Sequence, residues 1–358
     1  MTALLLILGL ILLLGGAELL VRGASRLALS TGLSPLIVGL TVVAFGTSTP
    51  ELAISVDAAL SGTPGIALGN VVGSNIANVL LILGISALLA PLVVARQLIW
   101  LDVPVMVAIS LGVCVMALDG AIARWEGLLL LAGGIAYTVT LIRIGRRGDT
   151  AAAPTPEHQA GVPPRRWWVN VLLVLAGLGL LVAGARWLVE AAVAIASAIG
   201  VSDLVIGLTV VAIGTSMPEI ATSILATLRG ERDLAVGNVV GSNIFNLLIV
   251  LGAAAAIAPA GLPVSDAAVR FDLPVMSAVA IACLPIFFTG HCIQRWEGAV
   301  FLGYYIAYTA YLLLDASGHD ALPAFSLAML QFVVPLTVLT LAVVVVRERR
   351  ERRRRRQH

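Results

Sequence analysis

Two glutamates within apolar stretches are the residues of this sequence best suited to chemistry. Glu51 and Glu219 lie at equivalent positions of two similar motifs, and neither motif contains an arginine. A charged side chain in the middle of a membrane costs about 2.5–3.5 kcal/mol or more. A bound mobile cation would offset this cost. The alternative is a pair of neutral glutamic acids joined by hydrogen bonds.

A proline precedes each glutamate and should break its helix. Pro50 and Pro218 lack an N–H, and their rings clash with the carbonyl groups of Gly46 and Gly214, four residues earlier. Each helix should therefore bend or unwind and release backbone carbonyls. Irregular backbone at membrane depth is tolerated where it lines a polar cavity. Carbonyl, hydroxyl and carboxylate oxygens are also the ligands that hard cations such as Ca²⁺ prefer.

A polar stripe follows each motif on the next predicted helix. Asn70, Ser74 and Asn78 have i, i+4, i+8 spacing, so they share one helix face, which we expect to meet the broken helix. In the second copy the stripe consists of Asn238, Ser242 and Asn246. Simple hydrogen bonding between helices is the alternative interpretation for four asparagines, Asn70, Asn75, Asn238 and Asn243.

The segments that carry these motifs are copies of one unit. Leu36–Leu83 recurs without insertion as Leu204–Leu251, and GLTVVAFGTSTPELAIS returns as GLTVVAIGTSMPEIATS. Weaker matches, DVPVM with DLPVM and a repeated RWEG, extend the unit to about five helices. An odd number of spans makes the second copy enter the membrane from the opposite side. The sequence therefore predicts an inverted repeat.

The composition requires a membrane protein. The 358 residues are 59% hydrophobic and 12% charged, with a mean hydropathy of +1.03, which excludes a cytosolic globular domain. A span needs about 20 mainly apolar residues, and the sequence offers about eleven such stretches. All 22 basic residues are arginine, which excludes lysine-based catalysis. The cysteines lack zinc-ligand spacing, and we expect no cofactor.

We predict an all-α polytopic membrane protein with two inverted five-helix repeats, which make ten transmembrane helices, and an eleventh helix. The first repeat covers residues 1–142 and the second covers 169–315, with a cytoplasmic linker at 143–168. An extra helix at 316–346 and a basic tail at 347–358 complete the chain. The predicted helices are 2–21, 34–60, 66–90, 99–118, 125–142, 169–192, 202–228, 234–258, 271–289, 296–314 and 326–346.

Arginine placement orients the predicted repeats. The linker contains five arginines between Arg143 and Arg166 and should be cytoplasmic by the positive-inside rule. Counting spans outward places the N-terminus outside and the C-terminus in the cytoplasm. The tail, Arg347–His358, holds eight arginines and two glutamates. We expect this tail to bind anionic lipid and not nucleic acid, and no obligate protein partner is evident.

Other charged residues receive structural or peripheral roles. Glu18 with Arg22, and Arg186 with Glu190, have i, i+4 spacing and are predicted ion pairs on helix surfaces. Asp57 has no acidic counterpart in the second copy and should attract cations near the outer mouth. A matched pair at the entrances of predicted spans is interpreted as helix-start residues, Asp102 and Asp272.

The paired motifs GTSTPE with GNVVGSNIAN, and GTSMPE with GNVVGSNIFN, closely resemble the sodium/calcium exchanger family of the cation/Ca²⁺ antiporter superfamily. The resemblance covers the ten duplicated helices and implies a prokaryotic member in the inner membrane that binds Ca²⁺ and Na⁺ mutually exclusively. Some prokaryotic relatives have aspartate where this chain has Asn246. The implied ligands are Thr47, Ser48, Glu51, Ser74, Asn78, Thr215, Ser216, Glu219, Ser242 and Asn246, with the backbone carbonyls of Ala44 and Ala212.

We expect a secondary active antiporter that exchanges Ca²⁺ for Na⁺ by alternating access at one central site. Inverted repeats favour this mechanism because they supply two near-equivalent states, and the first and sixth helices are candidates for a sliding gate. One alternative is an H⁺-coupled Ca²⁺ antiporter that protonates the same glutamates, and another is a cation channel with a static filter. We expect no enzyme, since the sequence has neither an HExxH motif nor a lysine.

Overall fold

The computed structural model describes residues 2–147, 167–200, 210 and 212–338, with isolated positions at 340, 342 and 346. The helices are α1 (Thr2–Thr31), α2 (Pro35–Thr47), α3 (Thr49–Leu60), α4 (Pro64–Leu89), α5 (Leu98–Asp119), α6 (Arg124–Arg147), α7 (Trp167–Ala198), α8 (Ala212–Thr215), α9 (Met217–Leu228), α10 (Arg232–Ile257), α11 (Ala268–Phe288), α12 (Arg295–Ala316) and α13 (Leu322–Val338). The strands are β1 (Leu92–Val93), β2 (Ala121–Ile122), β3 (Leu262–Pro263) and β4 (Cys292–Ile293).

The all-α polytopic membrane fold is confirmed. Within the described residues, eight helices are long and apolar enough to cross a membrane, and α2 with α3 adds a ninth as one bent span. The predicted span 202–228 is described only at Val210 and from Ala212 onward, so the described part does not reach the predicted ten. The tail at 347–358 and linker residues 148–166 lie outside the described residues.

The predicted extra helix is described as α13, which lies against α12. The Tyr304 hydroxyl of α12 donates a hydrogen bond to Thr337 Oγ1 at 2.7 Å and to the carbonyl of Val333 at 3.3 Å. α13 has no duplicate in the sequence, so these contacts with the second repeat have no counterpart in the first. The extra helix is therefore attached to the outside of the symmetric bundle.

The first helix of each repeat is longer than predicted. α1 and α7 contain 30 and 32 residues and pack against each other in antiparallel order. A Cβ built on Gly9 would lie 3.0 Å from the Gly184 oxygen, and one on Gly16 would lie 2.8 Å from the Gly177 oxygen. These glycines let the two backbones touch. Continuous packing carries both helices beyond the apolar stretches on which the prediction depended.

Glu18 links two helices on one side of the bundle. It pairs with Arg22 on α1, as predicted, and also with Arg229 at the end of α9. Arg186 and Glu190 are both exposed, and the ion pairs in the described part of the chain all involve Glu18. The second predicted pair is therefore wrong. Its arginine precedes its glutamate, which is the less favourable order along a helix.

Two short antiparallel β ladders bear directly on the inversion of the repeats. β1 pairs with β4, and β2 pairs with β3. β1 precedes α5 and β2 follows it, so the two ladders lie at opposite ends of that helix. Repeats of equal orientation would bring together the equivalent loops that contain β1 and β3. The observed pairing is the one that an inverted repeat produces.

A helix-capping motif explains why RWEG occurs twice. Glu126 accepts a hydrogen bond from the Ala123 N–H at 2.8 Å, and Glu297 accepts one from the Gln294 N–H at 2.7 Å. Each glutamate thus satisfies a backbone donor at the start of α6 or α12. The adjacent tryptophans, which are exposed and typical of a membrane interface, are Trp125 and Trp296.

The matched aspartates lie near the starts of α5 and α11, as predicted, but their side chains do not cap these helices. α5 and α11 begin four residues earlier, each with a π-helical turn that ends at Asp102 or Asp272. Asp102 instead accepts a hydrogen bond from Tyr137 at 2.9 Å, and Asp272 accepts one from Tyr308 at 3.2 Å. Each aspartate therefore joins its own helix to the last helix of its repeat.

Candidate functional site

The two proline motifs break their helices at equivalent serines. α2 and α3 meet at a 44° bend, and Ser48 at the break has φ −84° and ψ 7°. Ser216, between α8 and α9, has φ −87° and ψ 9°. Pro50 and Pro218 occupy the first turn after each break, where a missing N–H is harmless. The predicted break in both helices is confirmed.

The two glutamates lie in the first turn of α3 and α9, where they are buried. Their exposed fractions are 0% for Glu51 and 1% for Glu219. Ser48 Oγ of the first repeat donates a hydrogen bond to Oε1 of Glu219 at 3.1 Å. Within the described residues, neither glutamate forms an ion pair, because both ion pairs found there involve Glu18.

Several buried oxygens at this site have no hydrogen-bond donor in the described part of the chain. They are Oε1 and Oε2 of Glu51, Oε2 of Glu219, Oδ1 of Asn78, Oδ1 of Asn246 and Oγ of Ser242. Buried polar atoms are nearly always paired in folded proteins. These oxygens come from both repeats, and all belong to residues implicated by the sequence. Such a group of acceptors without donors is the arrangement that a cation would complete.

Hydroxyl groups bridge the broken helices and the partner helices α4 and α10. Ser216 Oγ donates to Ser74 Oγ at 3.3 Å, and Thr47 Oγ1 donates to Asn238 Oδ1 at 3.2 Å. Both bonds cross from one repeat to the other. The Ala44 carbonyl accepts a 3.1 Å hydrogen bond from the Ser48 N–H. In the second copy, Thr215 is half-buried at the end of α8, the short helix that Ala212 begins.

Asparagines on α4 and α10 fall into two groups. Asn70 donates to Ser55 and Asn238 donates to Ser223, each at 2.9 Å, so the interpretation as hydrogen bonds between helices is confirmed for this outer pair. The inner group is a four-asparagine cluster where α4 crosses α10, Asn75, Asn78, Asn243 and Asn246. All four are at most 3% exposed.

Structure adds one feature at these asparagines that the sequence does not signal. Each partner helix changes from α-helical to π-helical geometry, over Asn78–Leu83 in α4 and over Asn246–Val250 in α10. Single π-helical turns are frequent at functional sites. The wider turn begins at a residue implicated as a ligand in both repeats. No glycine, proline or polar pattern in the sequence distinguishes these turns from ordinary helix.

The candidate ligand atoms of this site are all oxygens. The described residues contain no cluster of three or more His, Cys, Asp and Glu, so this site differs from a zinc site in its ligands. Carboxylate, amide and hydroxyl oxygens suit hard cations such as Ca²⁺. Asp57, which was expected near an entrance, is exposed on α3. The site thus combines two carboxylates with neutral oxygens from both repeats.

Comparisons with known proteins agree with this architecture. Residues 1–143 and 169–314 match the family described as "Sodium/calcium exchanger protein". CaxA from Alkalimonas amylolytica is 42% identical over 312 residues, covering 86% of this chain and 97% of that protein. The sodium/calcium exchanger MaX1 from Methanosarcina acetivorans is 33% identical over 343 residues, covering 86% of this chain and 97% of that protein.

A solved structure is similar over the same range. The sodium-calcium exchanger NCX_Mj, soaked with Na⁺ and Ca²⁺, superposes with a TM-score of 0.74 at 32% identity. The match covers 86% of this chain and 97% of NCX_Mj. The family match includes both repeats and most of the chain, and the relatives are matched almost from end to end. This chain therefore belongs to the sodium/calcium exchanger family.

Proposed function

We propose that this chain is an antiporter that exchanges Ca²⁺ for Na⁺ across a membrane through one central site. The observation that carries the proposal is the group of buried acceptor oxygens without donors that both repeats contribute. The proposed ligands are the side chains of Thr47, Ser48, Glu51, Ser74, Asn78, Thr215, Ser216, Glu219, Ser242 and Asn246, with the carbonyls of Ala44 and Ala212. Ca²⁺ and Na⁺ are cargo here, and neither acts as a cofactor.

Charge balance gives a physical reason for obligatory exchange. Ca²⁺ neutralises two ionised carboxylates, at Glu51 and Glu219, whereas an empty site would hold two uncompensated charges at membrane depth. The empty transporter should therefore resist the conformational change. Na⁺ ions that replace Ca²⁺ restore the balance and let the change proceed. Ca²⁺ and Na⁺ thus compete for one set of oxygens.

Alternating access supplies the proposed conformational change. Inverted repeats provide two related states that open to opposite sides. α1 and α7 are the proposed moving pair, because neither contributes to the oxygen set and their glycine contacts form a smooth interface between backbones. A channel is disfavoured, since a static pore gains nothing from two near-equivalent states. The relatives named above as exchangers likewise support transport over catalysis.

Proton coupling is the second candidate. Both oxygens of Glu51 lack a donor in the described residues, and a proton would compensate the buried charge as a sodium ion does. The deciding experiment is ⁴⁵Ca²⁺ uptake into proteoliposomes under an imposed Na⁺ or H⁺ gradient. Uptake that an outward Na⁺ gradient drives, with H⁺ equilibrated by an ionophore, supports sodium exchange. Uptake driven by the H⁺ gradient alone overturns it.

We further propose an inner-membrane location with the N-terminus outside and the C-terminus in the cytoplasm. In this orientation the β2–β3 ladder is outside, the β1–β4 ladder is inside, and the basic tail lies on anionic lipid of the cytoplasmic leaflet. In a cysteine-free background, Asp119→Cys and Asp266→Cys should react with an impermeant thiol reagent from outside, and Arg96→Cys only after lysis. The reverse pattern would invert the proposed topology.

A further inference from the structure

In the four-asparagine cluster, each hydrogen bond has a definite donor and acceptor. The need for ligand oxygens at the site does not by itself explain that direction. Asn78 Nδ2 on α4 donates to Asn243 Oδ1 on α10 at 3.0 Å. Asn246 Nδ2 on α10 donates to Asn75 Oδ1 on α4 at 3.1 Å. The two bonds are related by the symmetry of the repeats. In each one, a proposed ligand donates to an asparagine that is not a proposed ligand.

The direction of the second bond follows from a backbone carbonyl. Asn75 Nδ2 points to the carbonyl oxygen of Asn243 at 3.3 Å, and a carbonyl can only accept. The amide nitrogen of Asn75 must therefore face that carbonyl, which turns its Oδ1 toward Asn246. Asn246 must then present its NH₂ to Asn75. Its own Oδ1 is left facing elsewhere, buried and without a donor.

The bond from Asn78 to Asn243 has the same direction, from proposed ligand to neighbouring asparagine. Asn243 Nδ2 lies 3.5 Å from the thioether sulfur of Met106, which accepts but cannot donate. Asn243 therefore turns its Oδ1 toward Asn78, and Asn78 donates its NH₂. Asn78 Oδ1 is likewise left buried without a donor. Both proposed ligand amides thus have the NH₂ group engaged and the oxygen available.

We propose that Asn75 and Asn243 are positioning residues that keep the amide oxygens of Asn246 and Asn78 turned toward the cation. An asparagine amide is nearly symmetric in shape, and rotation about χ2 would present NH₂ to the ion in place of oxygen. A positively polarised NH₂ repels a cation, so a misoriented amide is worse than a missing ligand. The assignment rests on the proposed function.

Two substitutions of similar volume at Asn75 separate its effect on the orientation of the Asn246 amide from its effect on helix packing. Asn75→Leu keeps the volume and removes the acceptor that holds Asn246. Asn75→Asp keeps an acceptor oxygen toward Asn246 in either protonation state. Calorimetric titration of the purified full chain with Ca²⁺ should give about 10–100-fold weaker binding for the leucine variant. The aspartate variant should stay within about threefold of wild type. Equal loss in both variants, or no loss in either, overturns the proposal.

Double-mutant cycles test which ligand each positioning residue serves. Asn75→Ala should weaken Ca²⁺ binding in the wild-type and Asn78→Ala backgrounds, but add little once Asn246→Ala has removed its target. Asn243→Ala should show the opposite preference. Additive losses in all four combinations would mean that the cluster only packs the helices. If the alanine variants bind too weakly to titrate, the leucine and aspartate comparison still decides.

Two controls keep the outcomes distinct. Asn170, on α7, is a buried asparagine that bonds to the Arg26 carbonyl at 3.4 Å, and Asn170→Leu should leave Ca²⁺ affinity unchanged. Melting curves without ions identify any variant that is misfolded. A wild-type chain that binds no Ca²⁺ would refute the proposed function. Wild-type binding that Asn75→Leu leaves intact would refute the positioning role alone.

Discussion

The two repeats contribute equivalent residues to the site but bond them differently. Ser48 of the first repeat donates to Glu219, whereas the equivalent Ser216 donates to Ser74. Glu219 therefore has one bonded oxygen, while both oxygens of Glu51 lack a donor in the described part of the chain. The broken helices are thus asymmetric at the point where the glutamates lie.

Two pairs of hydrogen bonds made by the partner helices are, by contrast, closely matched between the repeats. The hydrogen bonds of Asn70 to Ser55 and of Asn238 to Ser223 have the same length, 2.9 Å. The bonds within the four-asparagine cluster differ by only 0.1 Å, at 3.0 and 3.1 Å. Unequal bonds at the breaks beside these matched bonds are what one state of the proposed alternating-access pair would show, since the other state would exchange the roles of the halves.

The largest effect is expected where both halves are indispensable. Glu51→Gln and Glu219→Gln should each abolish ⁴⁵Ca²⁺ exchange, because either change leaves bound Ca²⁺ with an unbalanced positive charge at membrane depth. Both variants should melt at or above the wild-type temperature in the absence of ions, since a buried charge has been removed. Near-normal exchange by either variant would contradict the site.

Alanine substitutions at Ser48 and Ser216 should lower Ca²⁺ affinity by different factors if the conformation seen in the structure is the main one in solution. Ser48→Ala removes the donor to the Glu219 carboxylate, and hydrogen bonds to charged groups contribute about 1.5–3 kcal/mol. We expect Ca²⁺ affinity to fall roughly 10–100-fold. Ser216→Ala removes a bond between neutral hydroxyls, for which about 0.5–1.5 kcal/mol and a loss of roughly 2–10-fold are expected. Equal losses in titration calorimetry would show that the halves exchange roles on the time scale of binding.

The α1–α7 interface should respond equally in the two halves. A Cβ at Gly16 would lie 2.7 Å from the Leu181 nitrogen, and one at Gly184 would lie 2.5 Å from the Leu13 nitrogen. Gly16→Ala and Gly184→Ala should therefore force the helices apart and slow exchange by similar factors, with Ca²⁺ affinity nearly unchanged. Initial rates of exchange measure this effect.

Matched controls exist on the same helices. A Cβ at Gly15 or Gly179 would meet no atom within 4 Å, so alanine at these positions should leave the rate unchanged. If alanine at Gly16 is as harmless as at Gly15, α1 and α7 do not move as a closely packed pair. If it lowers Ca²⁺ affinity instead of the rate, the interface supports the site directly.

The smallest effect on exchange is expected for the basic tail, which belongs to neither repeat. Deletion of residues 347–358 should leave the Ca²⁺ dependence of exchange unchanged in liposomes of neutral lipid. Each arginine near an anionic leaflet contributes about 1 kcal/mol of attraction, so the deletion should weaken only the interaction with anionic membranes. Vesicle co-sedimentation measures that interaction. A shift in Ca²⁺ affinity of tenfold or more would mean that the tail reaches the transport path.

The inverted repeat, the membrane class and the positions of the two helix breaks were all predictable from the sequence. Each has a local physical cause. An odd number of spans forces inversion, an apolar stretch of about 20 residues crosses a bilayer, and a proline without an N–H breaks the helix at Ser48 and Ser216. Buried glutamates beside such breaks indicate a cation site for the same local reasons.

Only the tertiary structure decided how those residues are bonded. Ser48 donates to Glu219, and Asn75 accepts from Asn246; each bond joins residues 171 positions apart in the chain. Spacing within one helix gives no rule for such contacts. The length of α1, the π-helical turns and the bond of Asp102 to Tyr137 depend likewise on neighbouring helices. Hydrogen bonding in a buried cluster is a property of the assembled group, because each amide's orientation is set by the partner across the interface.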